Sequence, residues 1–205
     1  AKILGGGSSI NGMVYMRGKP SDYSSWEKET GDKNWSWNSI LKNYIALENN
    51  QNLKNDFHGN GGPLKVSDPG YVVKGSELYI ESMKNLGLPY KNDFNTGEQY
   101  GTGLMQYTIN NGKRCDAVSA FIKPIFNNKK LTIFLKTLVT KIILENKKAI
   151  GVEILKNGKP SKIYANEEII LTAGSFISPK LLMLSGIGDE EQLKKFNINI
   201  IEKVP

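Results

Sequence analysis

Three glycines followed by two serines, Gly5-Gly6-Gly7-Ser8-Ser9, constrain this chain more than any other stretch of it. A run without side chains makes a poor helix or strand interior, and it bares one face of the backbone. A large flat or charged group can then approach the main-chain N–H groups closely, with Ser8 and Ser9 adding hydroxyl donors. Two well-known glycine loops are excluded. No Gly-Lys-Ser/Thr follows, as a Walker loop requires, and the Gly-x-Gly-x-x-Gly of a Rossmann turn occurs nowhere in the chain. Taken alone, the run reads as a flexible turn.

Composition removes several kinds of chemistry. The 205 residues carry 27 Lys+Arg against 20 Asp+Glu, a net charge of +7. Only Arg17 and Arg114 are arginines, and the lysines are scattered rather than gathered on a stripe. That pattern reads as solvated surface and not as a nucleic-acid face, which concentrates Lys and Arg and uses arginine forks. A single cysteine, Cys115, allows no internal disulfide and no zinc or iron–sulfur site, and nothing beside it beyond Lys113 and Arg114 would activate it. A single histidine, His58, leaves little scope for metal or triad chemistry. Its glycine-rich neighbourhood supplies no partner, so it reads as structural or solvent-facing. No stretch approaches the roughly 18 apolar residues of a membrane span.

Hydrophobic spacing predicts a mixture of helices and strands. Residues 1–24 show neither period. Residues 35–47 read as a helix, residues 49–62 as a polar loop and residues 64–66 as a strand. Ser76 is placed to cap a helix that turns Tyr79, Ile80, Met83 and Leu86 inward and closes at Gly87. Residues 104–109 alternate like a strand before the Asn111-Gly112 turn, and Asp116 caps a short helix over 117–122. Residues 131–135, 139–144, 150–155, 162–165 and 168–171 are β-rich, with a hairpin signal at Asn157-Gly158. Ser178-Pro179 opens a helix over 180–184, and Asp189 to Gln192 has capping-box spacing for another through Phe196. Residues 199–204 form a last strand candidate. Trp26, Trp35 and Trp37 with Tyr44 read as helix-packing aromatics rather than a cage for a cation.

Two long motifs carry chemistry. The first runs from Leu4 to Tyr15 through the glycine run and Asn11-Gly12-Met13-Val14. The second runs from Thr172-Ala173-Gly174 through Ser178-Pro179 to Ser185-Gly186-Ile187-Gly188, where a strand end meets a helix N-terminus suited to a phosphate. With these motifs in this order, the chain resembles the glucose–methanol–choline (GMC) oxidoreductases, in particular choline-dehydrogenase-like members. Phe57-His58-Gly59 with Gly62-Pro63, Asp93-Phe94-Asn95 and Gly112-Lys113-Arg114 fit as intermediate landmarks, so the resemblance spans essentially the whole chain.

The resemblance implies an α/β fold with an α+β substrate domain, a partial FAD-binding GMC-type fold that includes antiparallel strands. Residues 1–35 and 113–205 would be FAD-binding segments, and residues 36–112 a substrate-domain or cap segment. By matching position, Ile3, Gly7, Asn11, Gly12, Met13 and Val14 would contact FAD, Val139 would touch the adenine through its main chain, and Gly174 would lie near the nucleotide half. Some relatives carry at the position of Ile10 a histidine bonded to the flavin. Isoleucine cannot form that bond, so FAD is expected to be non-covalent. The implied reaction is oxidation of a small-molecule alcohol to an aldehyde or ketone by hydride transfer to flavin N5, with oxygen or a quinone as electron acceptor. A cyanohydrin lyase of the same fold is the alternative, and a basic binding module a weaker one. The catalytic histidine and the Gly-x-Gly-x-x-Gly fingerprint of the family are not in the sequence. The chain is therefore expected to be the central part of a longer enzyme, inactive alone and without catalytic or metal-binding residues of its own. A cytoplasmic or peripherally membrane-associated location is expected, with no transmembrane span.

Overall fold

The structure is a computed structural model that describes residues 1–204; Pro205, the last residue of the 113–205 segment, lies outside the described residues. The chain forms two compact units, Ala1–Leu131 and Thr132–Pro205.

The first unit begins with a 3-10 turn, Gly6–Ser9, and a two-residue strand β1, Val14–Tyr15. Helix α1, Pro20–Thr30, lies partly inside the stretch whose sequence shows no period. Its signals are local: Pro20 sits in the first turn, the Lys19 N–H donates to Asp22 Oδ2 at 3.0 Å, and Gly31 at φ 69° ends it. Only Tyr23 of α1 is buried, so no amphipathic stripe was there to be read. Helix α2, Trp37–Leu47, matches its spacing and runs into β2, Glu48–Asn50, which pairs in parallel with β3, Leu64–Val66. The predicted aromatic packing is present. Tyr23 meets Trp26 edge-on at 5.6 Å, Trp26 meets Trp35 at 5.2 Å, and Tyr23 and Tyr44 share a hydroxyl hydrogen bond of 2.7 Å.

Helix α3, Lys74–Asn85, starts two residues before Ser76, so Ser76 is not its cap. Ile80 and Met83 are half-buried, whereas Tyr79 and Leu86 are exposed. Strand β4, Gln106–Tyr107, pairs antiparallel with β1. The hairpin β5, Ile109–Asn110, and β6, Lys113–Arg114, closes over the predicted Asn111-Gly112 turn. Asp116 Oδ1 accepts the Ser119 N–H at 2.7 Å, the expected cap, but the turn over Val118–Ile122 is π-helical.

The second unit is built on an antiparallel meander of β7, Thr137–Glu145, β8, Lys148–Lys156, and β9, Lys159–Tyr164. Both hairpin turns take left-handed residues, Asn146-Lys147 and the predicted Asn157-Gly158. Residues 131–135 and 168–171 form no strand, because no segment among the described residues pairs with them; Phe134, Leu135 and Ile170 are exposed. Helix α4, Ile177–Leu184, starts before Ser178, whose hydroxyl accepts the Ala173 N–H at 3.1 Å. It packs on β7 through buried Ser185, which donates to Leu181 O at 2.6 Å and accepts the Ile142 N–H at 2.8 Å. Strand β10, Ile187–Gly188, helix α5, Glu190–Lys195, and strand β11, Glu202–Lys203, complete the unit, with β10 and β11 parallel. Asp189 caps α5 as its spacing predicts. Helices mixed with antiparallel strands are the class expected from the sequence. No helix among the described residues is long and apolar enough to cross a membrane.

Candidate functional site

The glycine run folds on itself. The Gly6 N–H donates to Ile3 O at 3.0 Å, and the Ser8 N–H to Gly5 O at 3.2 Å. The serine hydroxyls face inward: Ser9 Oγ donates to Leu4 O at 2.9 Å, and Ser8 Oγ accepts the Ala117 N–H at 3.0 Å. They brace the turn rather than offer donors outward, against the expectation that they would add to the donor face. Arg114 locks the exit, donating to Ser8 O at 3.0 Å and to Asn11 Oδ1 at 2.6 Å. Asn11 Oδ1 also accepts the Met13 N–H at 3.1 Å. Met13 has φ 63°, an uncommon and costly conformation for a residue with a side chain. It is held from the far side by the Thr108 N–H, which donates to Met13 O at 2.8 Å. Val14 and Tyr15 then pair with β4.

The structure therefore gathers Ile3, Gly7, Asn11, Gly12, Met13 and Val14 on one braced loop of the first unit. Gly7, Asn11, Gly12, Ile3 and Val14 are exposed. Gly7 and Gly12 are informative. Neither lies in the left-handed region, and a Cβ built on either meets nothing within 4 Å. Nothing in the protein's own conformation or packing calls for glycine there. The backbone at these two places is open enough for a bulky ligand to lie flat against it, and FAD is compatible with that room. Exposed Ile10 offers no nucleophile.

Val139 and Gly174 lie in the second unit. Val139 stands on β7 beside a register shift between Val139 and Lys141. Gly174 has φ 99°, so its own backbone already accounts for glycine.

His58 departs from expectation. Its ring is fully buried and has partners on both sides: Nδ1 lies 3.0 Å from Glu48 Oε1, and Nε2 lies 2.9 Å from Asp93 Oδ2. It is structural, as expected, but neither solvent-facing nor partnerless. The partners come from β2 and from a loop 35 residues downstream, separations that carry no periodic signal. Glu48 also accepts from Arg17 Nη2 at 2.7 Å, from the Gly59 N–H at 3.1 Å and from Asn50 Nδ2 at 2.9 Å. Arg17 is itself buried, with its guanidinium 4.9 Å from the centre of the Tyr44 ring. Burial works against a charge on His58, but the hydrogen bonds to Asp93 and Glu48 outweigh it and raise the imidazole to about 9. The same bonds hold Glu48 and Asp93 below the usual carboxylate range in spite of burial. Among the described residues no buried side-chain nitrogen or oxygen lacks a partner. No group of three metal-ligating side chains occurs among them.

The GMC oxidoreductase family model matches residues 1–201. Ecdysone oxidase of Bombyx mori is 38% identical over all of this chain and 31% of its own length. Oxygen-dependent choline dehydrogenase of Rhizobium etli is 39% identical over 97% of this chain and 36% of its own length. Among solved structures, pyridoxine 4-oxidase from Mesorbium loti superposes with a TM-score of 0.91 at 32% identity, covering 97% of this chain and 39% of that one. An FAD-dependent oxidoreductase from Chaetomium thermophilum gives 0.93 at 32% identity, covering all of this chain and 38% of that one. The chain thus spans about a third of the length of the curated relatives it matches.

Proposed function

Because this chain belongs to the GMC oxidoreductase family, we propose that it supplies part of the flavin site of a larger enzyme that oxidises an alcohol to an aldehyde or ketone. The observation that carries this reading is the pair Gly7 and Gly12, bare of side chains where the protein itself has room for them. Ile3, Gly7, Asn11, Gly12, Met13 and Val14 would hold FAD along the braced loop, largely through main-chain groups. Val139 would meet the adenine through its backbone, and Gly174 would lie near the nucleotide half. Residues 1–35 and 113–205 would then serve FAD binding, and residues 36–112 would be a substrate-domain or cap segment. When bound, FAD supplies the hydride acceptor at N5.

The chain's own residues bind and orient, and none is assigned as the base. His58 is excluded from that role because both its nitrogens are engaged by carboxylates and its ring is buried. Ile10 supports non-covalent FAD. Location in the cytoplasm or at a membrane surface, and oxygen or a quinone as acceptor, belong to the same proposal.

The test is spectroscopic. The full-length enzyme is expected to purify with flavin that acid precipitation releases into solution, and to bleach when mixed anaerobically with its alcohol. Gly12→Ala is expected to leave folding stability within about 0.5 kcal/mol while weakening FAD about tenfold or more. Flavin that stays with the precipitated protein would refute the non-covalent assignment. Full flavin retention in both Gly7→Ala and Gly12→Ala would refute the loop assignment. Bound flavin that no alcohol bleaches would turn the reading toward a lyase.

A further inference from the structure

Four buried or nearly buried charged groups alternate in sign: Arg17, Glu48, His58 and Asp93. They come from four places in the chain, namely the segment after β1, strand β2 and two loops, and together they close a ring. Arg17 Nη2 donates to Glu48 Oε2 at 2.7 Å. Glu48 faces His58 Nδ1 at 3.0 Å, and His58 Nε2 faces Asp93 Oδ2 at 2.9 Å. The other oxygen of Asp93 accepts the Asn95 N–H at 2.8 Å, and Asn95 Oδ1 accepts the Arg17 main-chain N–H at 2.8 Å. The ring thus leaves Arg17 by its side chain and returns by its backbone. Three further bonds fasten the same segment. Arg17 Nη1 donates to Phe57 O at 2.6 Å, Gln99 Nε2 donates to Arg17 O at 2.7 Å, and Arg17 Nε donates to the Tyr15 hydroxyl at 3.2 Å.

The ring also reaches β1 from the other edge. Tyr15 pairs with Gln106 in β4. Gln106 Oε1 accepts from Asn50 Nδ2 at 2.7 Å, and that same amide contacts Glu48 and His58. The remaining ionisable groups around the ring are Asp68, which accepts from Gln106, and the hydroxyls of Tyr15, Tyr23 and Tyr44 around Arg17. Burial raises Tyr15 and Tyr44, so both stay neutral. Because each imidazole nitrogen faces a carboxylate, the ring closes only when both nitrogens carry hydrogen. A neutral imidazole has one N–H and leaves one carboxylate without its donor.

We propose that this ring is a positioning device that fixes β1 through Arg17, with His58 and Asp93 as positioning residues for the flavin reaction. The inference rests on the preceding reading, in which Met13 and Val14 lie along FAD. It predicts an alkaline switch in which the flavin strand is held while His58 is an imidazolium and loosens when it is not. The raised imidazole, near 9, sets the place of the change: the ring is closed at neutral pH and opens as pH rises through about 9.

In the full-length wild-type enzyme, the visible circular dichroism of the flavin is expected to change with one apparent pKa near 9. Amide hydrogen exchange over residues 14–17, corrected for its intrinsic pH dependence, is expected to quicken about tenfold across the same range. Asp93→Asn removes one of the two charges that hold the proton, and is expected to move both transitions to lower pH by about one unit or more. It is also expected to lower kcat several-fold with little change in KM. A merely structural residue would lower stability without moving either transition. Wild-type signals that stay flat between pH 7 and 10.5, or an Asp93→Asn transition at the wild-type pH, would overturn the proposal. Should Asp93→Asn fail to fold, the wild-type titration decides alone. Wild-type protein without flavin would refute the flavin reading instead, and the exchange experiment would still report on the ring.

Discussion

Gly59 and Gly62, beside His58, are glycines for packing. A Cβ on Gly59 would run into the Ile45 carbonyl, and one on Gly62 into the Leu47 backbone, where α2 ends. Their closeness lets the loop return over β2, so the Gly59 N–H reaches Glu48 and the Gly62 N–H donates to Glu48 O at 2.8 Å. The obstacle is backbone and cannot swing aside, so Gly59→Ala is expected to destabilise the enzyme by about 1–3 kcal/mol, read from urea denaturation. This is the opposite pattern to the one expected of Gly12→Ala, in which stability would hold and flavin binding would weaken. A pair of alanine substitutions would thus separate a glycine kept for the fold from one proposed to be kept for a ligand.

At the scale of elements, short pieces are held by caps and cross-links rather than by length. Helix α5 has six residues, below what propensity sustains alone. Asp189 Oδ1 accepts the Gln192 N–H at 2.9 Å, and Leu193 is fully buried. Asp189→Ala is expected to cost about 1 kcal/mol, visible as a lowered urea midpoint with flavin content at neutral pH unchanged. Strand β1 is shorter still and borrows its order from β4, from Arg114 at the loop exit and from the Arg17 ring. The meander of the second unit is the element nearest to self-sufficient. Its hairpin turn at Asn157-Gly158 takes φ 51° and 75°, the conformation that matches strand twist.

For the whole molecule, the buried ring sets how stability varies with pH. His58 moves from about 6.5 unfolded to about 9 folded, so its contribution is fully present below pH 6.5 and is lost as pH rises through 9. At 1.36 kcal/mol per pH unit this amounts to roughly 3 kcal/mol. Chemical denaturation of the full-length enzyme is expected to show that loss between pH 6.5 and 9.5, and Asp93→Asn to reduce its size. At the acid end the sign reverses. Glu190, held at about 2 by Lys194 and Lys203, favours folding above pH 4.5 and loses that effect as pH falls through 2. Its two ion pairs lie at the surface, with all three side chains solvent-accessible, so its effect is expected to fade with added salt.

What the sequence determined by itself was local or ordered along the chain. The period of α2, the turns at Asn111-Gly112 and Asn157-Gly158, and the caps Asp116 and Asp189 depend on neighbours within a few residues, so they can be read directly. The two signature motifs in order were enough for the family. What only the tertiary structure decided were partnerships across long separations. Residues 131–135 and 168–171 have strand composition but no strand beside them, and a strand exists only as a pair. Helix α1 has caps but almost no buried face, so its period is silent. His58 stands among glycines in the sequence and between Glu48 and Asp93 in the fold. A buried charge is settled by whichever opposite charges the chain brings within about 3 Å, and sequence spacing does not encode that distance.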